Sequence, residues 1–277
     1  MDATQLRLHA EMEERHWWFL GRRRIMIDLA NRLVPPNEGK RVVDIGCGTG
    51  GNIASLAQAY VATGIDAEPI AIDLANARYP DVRFWCGQIE QMPREIDANT
   101  DLYLLMDVLE HVPEDFWFLS TLLARCRTGA HVMITVPAHE RLWSSHDVAL
   151  GHYRRYDKER LQWTWQDLPV AVRAMSYFNT RLYPAIRLVR GLGRYLRRSY
   201  GSAGTDLSLP PRPVNSLLTG WFAGEASVLA EVLAGGSRGY RTGASLLAIL
   251  RVDGITAQRS KPANAPPDHP LLEEAKA

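Results

Sequence analysis

The sequence predicts an α/β fold in which a sheet of parallel strands is covered by helices on both faces. Two observations carry this expectation: short apolar runs alternate with helical stretches along most of the chain, and the first run ends in a glycine-rich turn that opens a helix. The strand candidates are RVVDIG (41–46), YVATGID (60–66), VRFWC (82–86), DLYLLMD (101–107), HVMITVP (131–137), PVAVRAMSYF (169–178) and SLLAILRV (245–252), seven in all. Between them NIASLAQA (52–59), EPIAIDLANA (68–77) and EDFWFLSTLLARC (114–126) read as helices, with Pro69 at a first turn that tolerates it.

Three segments stand outside this alternation. Residues 4–33 read as one or two helices carrying the string HWWFLGRRR (16–24), and are expected to cover the carboxyl edge of the sheet. Residues 179–243 read as helical with a PPRP break at 210–213, and separate the sixth and seventh strand candidates. The expected organisation is therefore an N-terminal helical cap (1–39), a core (40–178 with 244–252), a helical insertion (179–243) and a tail (253–277). That tail is expected to be disordered, because its Pro/Ala-rich end, 261–277, has too little apolar content to pack.

Bulk properties exclude some function classes. A chain of 277 residues suits one enlarged domain with a substantial core. Lys and Arg total 32 against 31 Asp and Glu, so no global field recruits nucleic acid, and no nucleic-acid partner is expected. Three scattered cysteines, Cys47, Cys86 and Cys126, suggest neither a disulfide framework nor a metal knuckle, which fits a reducing, cytoplasmic setting. The first residues are polar and acidic, and charge interrupts every long apolar run, so neither export nor a membrane span is expected.

In VVDIGCGTGG (42–51), Gly46, Gly48 and Gly51 satisfy the dinucleotide spacing GxGxxG, while Gly46, Gly48 and Gly50 satisfy GxGxG. Asp44 favours the second reading, because a carboxylate two residues before the first glycine sits poorly beside a pyrophosphate. It suits a ligand with an ammonium, a sulfonium and no phosphate, namely S-adenosylmethionine. Asp66 ends the second run, where an acid can accept from both ribose hydroxyls; capping the next helix is the alternative. Gly87, Gln88 and Ile89 end the third run, and Gln88 and Ile89 are the adenine candidates.

Taken together, DIGCGTG (44–50), GID (64–66) and LLMDVLEHVPED (104–115) resemble the class I S-adenosylmethionine-dependent methyltransferases. The resemblance implies a Rossmann-like, seven-stranded methyltransferase sheet. It places Asp44, Gly46, Cys47, Gly48, Asp66, Ala67, Met106 and Asp107 around the cofactor. Gly87-Gln88 departs from the Gly-Asp of many relatives. A narrower likeness to uncharacterised bacterial methyltransferases rests on HWWFLGRRR (16–24), HDVALGHYRRY (146–156) and SYFN (176–179), and implies no particular acceptor.

The acceptor is expected beside the loop after the fifth run, since ligands of open α/β sheets lie at the carboxyl ends of strands. This loop holds His139, His146, Asp147, His152, Tyr153, Arg154, Arg155 and Tyr156. His146 and His152 are candidate bases for a hydroxyl acceptor, and Arg154 and Arg155, with Tyr156, are candidates to hold a carboxylate. The alternative is that the cluster only satisfies loop carbonyls and neighbouring acids. Trp17 and Trp18 are expected to close over the site with Arg22 or Arg23, or else to pack on the sheet. Glu110 and His111 are adjacent and would point apart on a helix or a strand, so no metal is expected.

From 181 to 198 there are six arginines and no acid. At helical spacing Arg187, Arg190, Arg194, Arg197 and Arg198 share one side, while Leu182, Ala185, Leu188, Val189, Leu192, Tyr195 and Leu196 share the other. Such a helix suits peripheral contact with an anionic membrane, and 215–233 suits docking or a dimer surface. The sequence thus points to methyl transfer onto oxygen of an anionic small molecule or lipid-linked glycan. A catalytically silent S-adenosylmethionine-binding protein and an NAD-dependent oxidoreductase are the alternatives.

Overall fold

A computed structural model describes residues 3–37, 39–196 and 208–254, with the side chains of residues 3, 5 and 191–196 excepted. The expected tail beyond residue 254, together with Arg197 and Arg198, lies outside the described residues.

Helices α1 (Ala3–Met12) and α2 (Trp17–Leu33) precede β1 (Arg41–Ile45), and α3 (Gly51–Ala54), β2 (Val61–Asp66), α4 (Pro69–Arg78) and β3 (Arg83–Cys86) follow. The chain continues through α5 (Arg94–Asp97), β4 (Leu102–Met106), α6 (Asp115–Leu123) and β5 (His131–Pro137). Short helices α7 (Ser145–Leu150) and α8 (Lys158–Gln162) lead to β6 (Val170–Phe178). Helices α9 (Tyr183–Leu196), α10 (Arg212–Ala223) and α11 (Ala226–Leu233) intervene before β7 (Ser245–Val252).

All seven strands form where the apolar runs lie, in one sheet of order β3-β2-β1-β4-β5-β7-β6. The expectation of a parallel sheet is corrected at one strand: β7 runs antiparallel to both β5 and β6. The cause is the connection. Ser245, which starts β7, pairs with Phe178 and with Pro137, the last residues of β6 and β5, so α9–α11 leave and rejoin the sheet at the same edge. A strand that enters where its neighbour ends must run backwards.

Alternate side chains of the buried strands feed two cores. On one face Val43, Ile45, Tyr103, Leu105, Val132 and Ile134 pack against Phe116, Leu119 and Leu122 of α6. On the other, Val42, Leu102, Leu104 and Met133 pack against Ile25, Met26, Leu29 and Ala30 of α2, together with Phe222 of α10 and Leu229 of α11. Gly21 permits that last arrangement, because a Cβ there would stand 2.6 Å from the Phe222 ring. Asn215 ties α10 to α2, accepting from Trp17 N (2.9 Å) and donating to Arg15 O (2.7 Å). Most of α2 therefore covers a face of the sheet rather than its carboxyl edge. Only the first turns of α2 and the end of α1 reach that edge.

Candidate active site at the carboxyl edge of the sheet

The turn after β1 is built on glycines. Gly46, Gly48 and Gly50 have φ of 70°, 54° and 87°, the left-handed region that other residues adopt at a cost. At Gly46 a Cβ would also stand 2.7 Å from Val108. Gly46 N and Cys47 N donate to Ile65 O (2.8 and 2.9 Å), and Gly48 N donates to Asp66 Oδ2 (2.8 Å), so the turn is fastened to the end of β2. Asp66 Oδ1 accepts from Glu68 N (2.9 Å), which makes the helix-capping role real as well. Each oxygen keeps a second lone pair for a ligand hydroxyl. Ala67 is exposed beside it, Gln88 is exposed, and Ile89 is buried in the core beneath β2 and β4.

Asp44 lies under the turn with only 1% of its surface exposed, and neither carboxylate oxygen has a hydrogen-bond partner. Burial pushes its pKa up to about 8. An ionised carboxylate in such a place costs several kcal/mol unless a cation meets it, so the position fits a ligand ammonium.

Asp107 follows β4 in the left-handed region (φ 62°), an uncommon conformation for aspartate that aims its carboxylate at the sheet edge. Its Oδ1 accepts from Thr135 Oγ1 (3.1 Å) and its Oδ2 is paired with the Arg22 guanidinium. Arg22 is itself buried and lies 4.3 Å from the Trp18 ring centroid. Trp18 and Arg22 thus close over the end of β4, whereas Trp17 turns away to meet Phe222 edge-on at 6.0 Å. Arg23 donates to Glu13 O (3.0 Å). Met106 is buried at the end of β4.

A clamp that the sequence did not suggest holds α1 to the glycine turn. Glu13, buried, accepts from Thr49 Oγ1 (2.7 Å) and is paired with Arg78 of α4, which also donates to Thr49 O (3.1 Å). An acid in a polar leading segment gives no spacing signal that would reveal this.

The loop after β5 is also knit more tightly than its residue types suggest. Arg155, almost fully buried, donates from Nε and an Nη to the two oxygens of Asp147 (2.8 and 2.9 Å). Arg154 donates to Val112 O (2.6 Å) and Pro113 O (2.7 Å), and the Tyr156 hydroxyl to Leu109 O (3.1 Å) and Asp115 Oδ2 (2.9 Å). Arg154, Arg155 and Tyr156, the residues expected to hold the acceptor, thus use these donors to fix the loop against the end of β4. His152 Nδ1 lies 2.9 Å from Asp147 Oδ1, which fixes the ring. Burial works against an ionised Asp147, yet the His152 hydrogen bond and the Arg155 charge hold its carboxyl well below the usual range. His146 is half-buried, its ring 6.3 Å from that of His152. The two proposed bases therefore stand together.

Glu110 and His111 occupy a single 3-10 turn (Leu109–His111) after β4, neither helix nor strand. Their side chains do not diverge as the sequence reasoning assumed. One ligand atom each from Glu110, His111 and His152 lie within 4.8 Å of one another.

A glycine turn over an orphaned acid, an acid at the end of the next strand and this sheet order define a class I methyltransferase domain. Residues 18–180, more than half the chain, match the family model described as "Methyltransferase domain", and the chain belongs to that family. Its cofactor is S-adenosylmethionine, and the NAD reading of the glycines is set aside.

Among curated relatives, the trans-aconitate 2-methyltransferase of Deinococcus radiodurans is 32% identical over 39% of this chain and 42% of its own length. The ubiquinone biosynthesis O-methyltransferase of Paracidovorax citrulli is 29% identical over 41% and 53%. A probable tocopherol O-methyltransferase of rice is 32% identical over 45% and 37%. The chain thus spans about half or less of the length of these relatives. Two solved structures share the fold. A Haloferax volcanii chain in complex with the Trm112 methyltransferase activator has 19% identity and a TM-score of 0.53, over 88% of this chain and 93% of that one. The [4+2]-cyclase SpnF has 16% identity and a TM-score of 0.52, over 82% and 80%.

Proposed function

We propose that this protein transfers a methyl group from S-adenosylmethionine to an oxygen of an anionic small molecule or lipid-linked glycan. The observation that carries the reading is the juxtaposition of His146 with an Asp147-oriented His152, in the loop that borders the carboxyl edge where Asp44 and Asp107 lie. The cofactor supplies an electrophilic methyl whose carbon–sulfur electron pair stays on sulfur. Asp44 meets the cationic amino-acid end, Asp66 accepts from the ribose, and Gln88 and Ile89 border the adenine. One of the two imidazoles takes the acceptor's hydroxyl proton as the oxygen attacks. With Arg154 and Arg155 engaged in the loop, exposed Arg141, held by the Tyr183 hydroxyl (2.6 Å), is a cation available to an anionic acceptor. Two of the relatives named above carry O-methyltransferase names.

A membrane-borne acceptor is favoured by exposed apolar side chains on two helices. Leu188 and Val189 of α9 and Val214, Leu217 and Trp221 of α10 are all exposed. Between residues 181 and 224 the sequence holds seven arginines and a single acid, Asp206. Exposed apolar side chains in an arginine-rich segment suit an anionic lipid surface. No described helix is long and apolar enough to cross a membrane.

The test is incubation with methyl-labelled S-adenosylmethionine and separate hydroxyl, carboxylate, amine and lipid-extract acceptors. Label recovered as a methyl ether or ester and lost in His146→Ala supports the reading; label only on nitrogen or carbon, or none on any acceptor, refutes it.

A further inference from the structure

We propose that Glu110, His111 and His152 form a binding site for a divalent cation at the acceptor side of the cleft. The ligand atoms lie within 4.8 Å of one another, up to about 1.4 Å beyond the ~3.4 Å between ligands about 2.1 Å from a tetrahedral ion, so ion binding calls for side-chain rotation. Glu110 points independently to a ligand. It is fully buried, and both carboxylate oxygens lack a hydrogen-bond partner.

The two imidazoles are prepared as ligands. His152 has Nδ1 committed to Asp147, so Nε2 is the nitrogen left for an ion, and a backbone hydrogen bond to Leu150 fixes one side of His111. A carboxylate or carbonyl behind each ring is the usual way a ligating histidine is oriented and its tautomer set. The rings stand edge to face with centroids 4.6 Å apart. Asp147 is in turn gripped by Arg155, and Tyr153 N donates to Glu110 O (2.7 Å), so the two loops that supply the ligands are joined by backbone.

Two imidazoles and one carboxylate suit a borderline cation such as Zn2+, Co2+ or Fe2+ over Mg2+ or Ca2+, and leave at least one coordination position open. The His152 side chain shows 6% of its surface and Glu110 none, so an ion held there would be shielded from bulk water. Resting on the methyl-transfer reading, the site has a further consequence: a hydroxyl on the open position ionises more easily, which makes His152 a ligand and leaves His146 to carry the proton away.

The test uses the full chain freed of metal by chelator, titrated with Co2+ and followed by visible absorption, and with Zn2+ by calorimetry. One equivalent is expected to bind, with visible bands typical of a four- or five-coordinate ion. Glu110→Gln and His152→Ala should each weaken binding at least tenfold, and His139→Gln should leave it unchanged. S-adenosylhomocysteine binding should persist in Glu110→Gln, which separates failure of the metal site from failure of the cofactor site. Circular dichroism checks the fold; should His152→Ala unfold, His111→Asn replaces it. No one-to-one binding, or binding indifferent to Glu110→Gln and to the histidine variant, overturns the proposal, as does equal loss in His139→Gln.

Discussion

Cofactor binding should expel close to one proton at neutral pH. Asp44 is buried, unpartnered and pushed up to about 8 by that burial, with the Arg22 charge too weak an offset. At pH 7 a group of this pKa is protonated in about 0.9 of the free molecules. An ammonium placed against Asp44 stabilises the ionised form and releases that proton, so about 0.9 proton leaves per S-adenosylhomocysteine bound. Between pH 5 and 7, where the ligand amine stays charged, Kd should fall close to tenfold per pH unit and level off near 8. Calorimetry at pH 7 in phosphate and in Tris measures the release directly, because the heat then depends on the buffer's own ionisation. Asp44→Asn should bind more weakly and release no proton. Equal heats in both buffers for the native chain, or an undiminished release in the variant, would rule out Asp44 as the source of the proton.

The glycine turn, the loop and the surface yield further expectations. Gly46→Ala forces a side chain into the left-handed region and against Val108, and should raise the S-adenosylhomocysteine Kd at least tenfold by calorimetry while the chain stays folded. Arg155→Ala leaves Asp147 charged and buried, and should lower unfolding free energy by about 3–5 kcal/mol in urea. Because the Asp147 carboxyl is depressed in the fold, its stabilisation is complete above the ordinary carboxylate range and is lost as pH falls below that range toward the depressed folded value; acid titration of Asp147→Asn should show a shallower decline than the native chain. Leu217→Glu with Trp221→Glu should abolish sedimentation with anionic liposomes at low salt and leave cofactor affinity unchanged, whereas persistent sedimentation counts against membrane contact.

How much of this the sequence carried depended on whether a residue's role is local. The central strands are buried on both faces and apolar throughout, and the edge strands β3 and β6 keep enough apolar residues for all seven to be located from composition along the chain. Direction is not written in an apolar run, and β7 reversed because its partner residues Phe178 and Pro137 lie at one edge. The glycine turn was legible because left-handed backbone selects glycine. The roles of Arg154 and Arg155 were not, since a buried arginine differs from an exposed one only through partners such as Asp147 and the carbonyl of Val112, which the fold brings near. The Glu13–Thr49–Arg78 clamp joins three distant segments and left no spacing to read. Glu110 and His111 misled for a geometric reason: divergence of adjacent side chains holds for helices and strands, but not for the single 3-10 turn they occupy.

The central claim is that the carboxyl edge holds S-adenosylmethionine through Asp44, Asp66 and the glycine turn. Calorimetric titration of the purified chain with S-adenosylmethionine, S-adenosylhomocysteine and NAD tests it most directly, with Asp66→Ala alongside. Micromolar, one-to-one binding of the first two ligands is expected, lost in the variant, with no binding of NAD. Binding of NAD alone, or no heat with either adenosyl ligand, would contradict it.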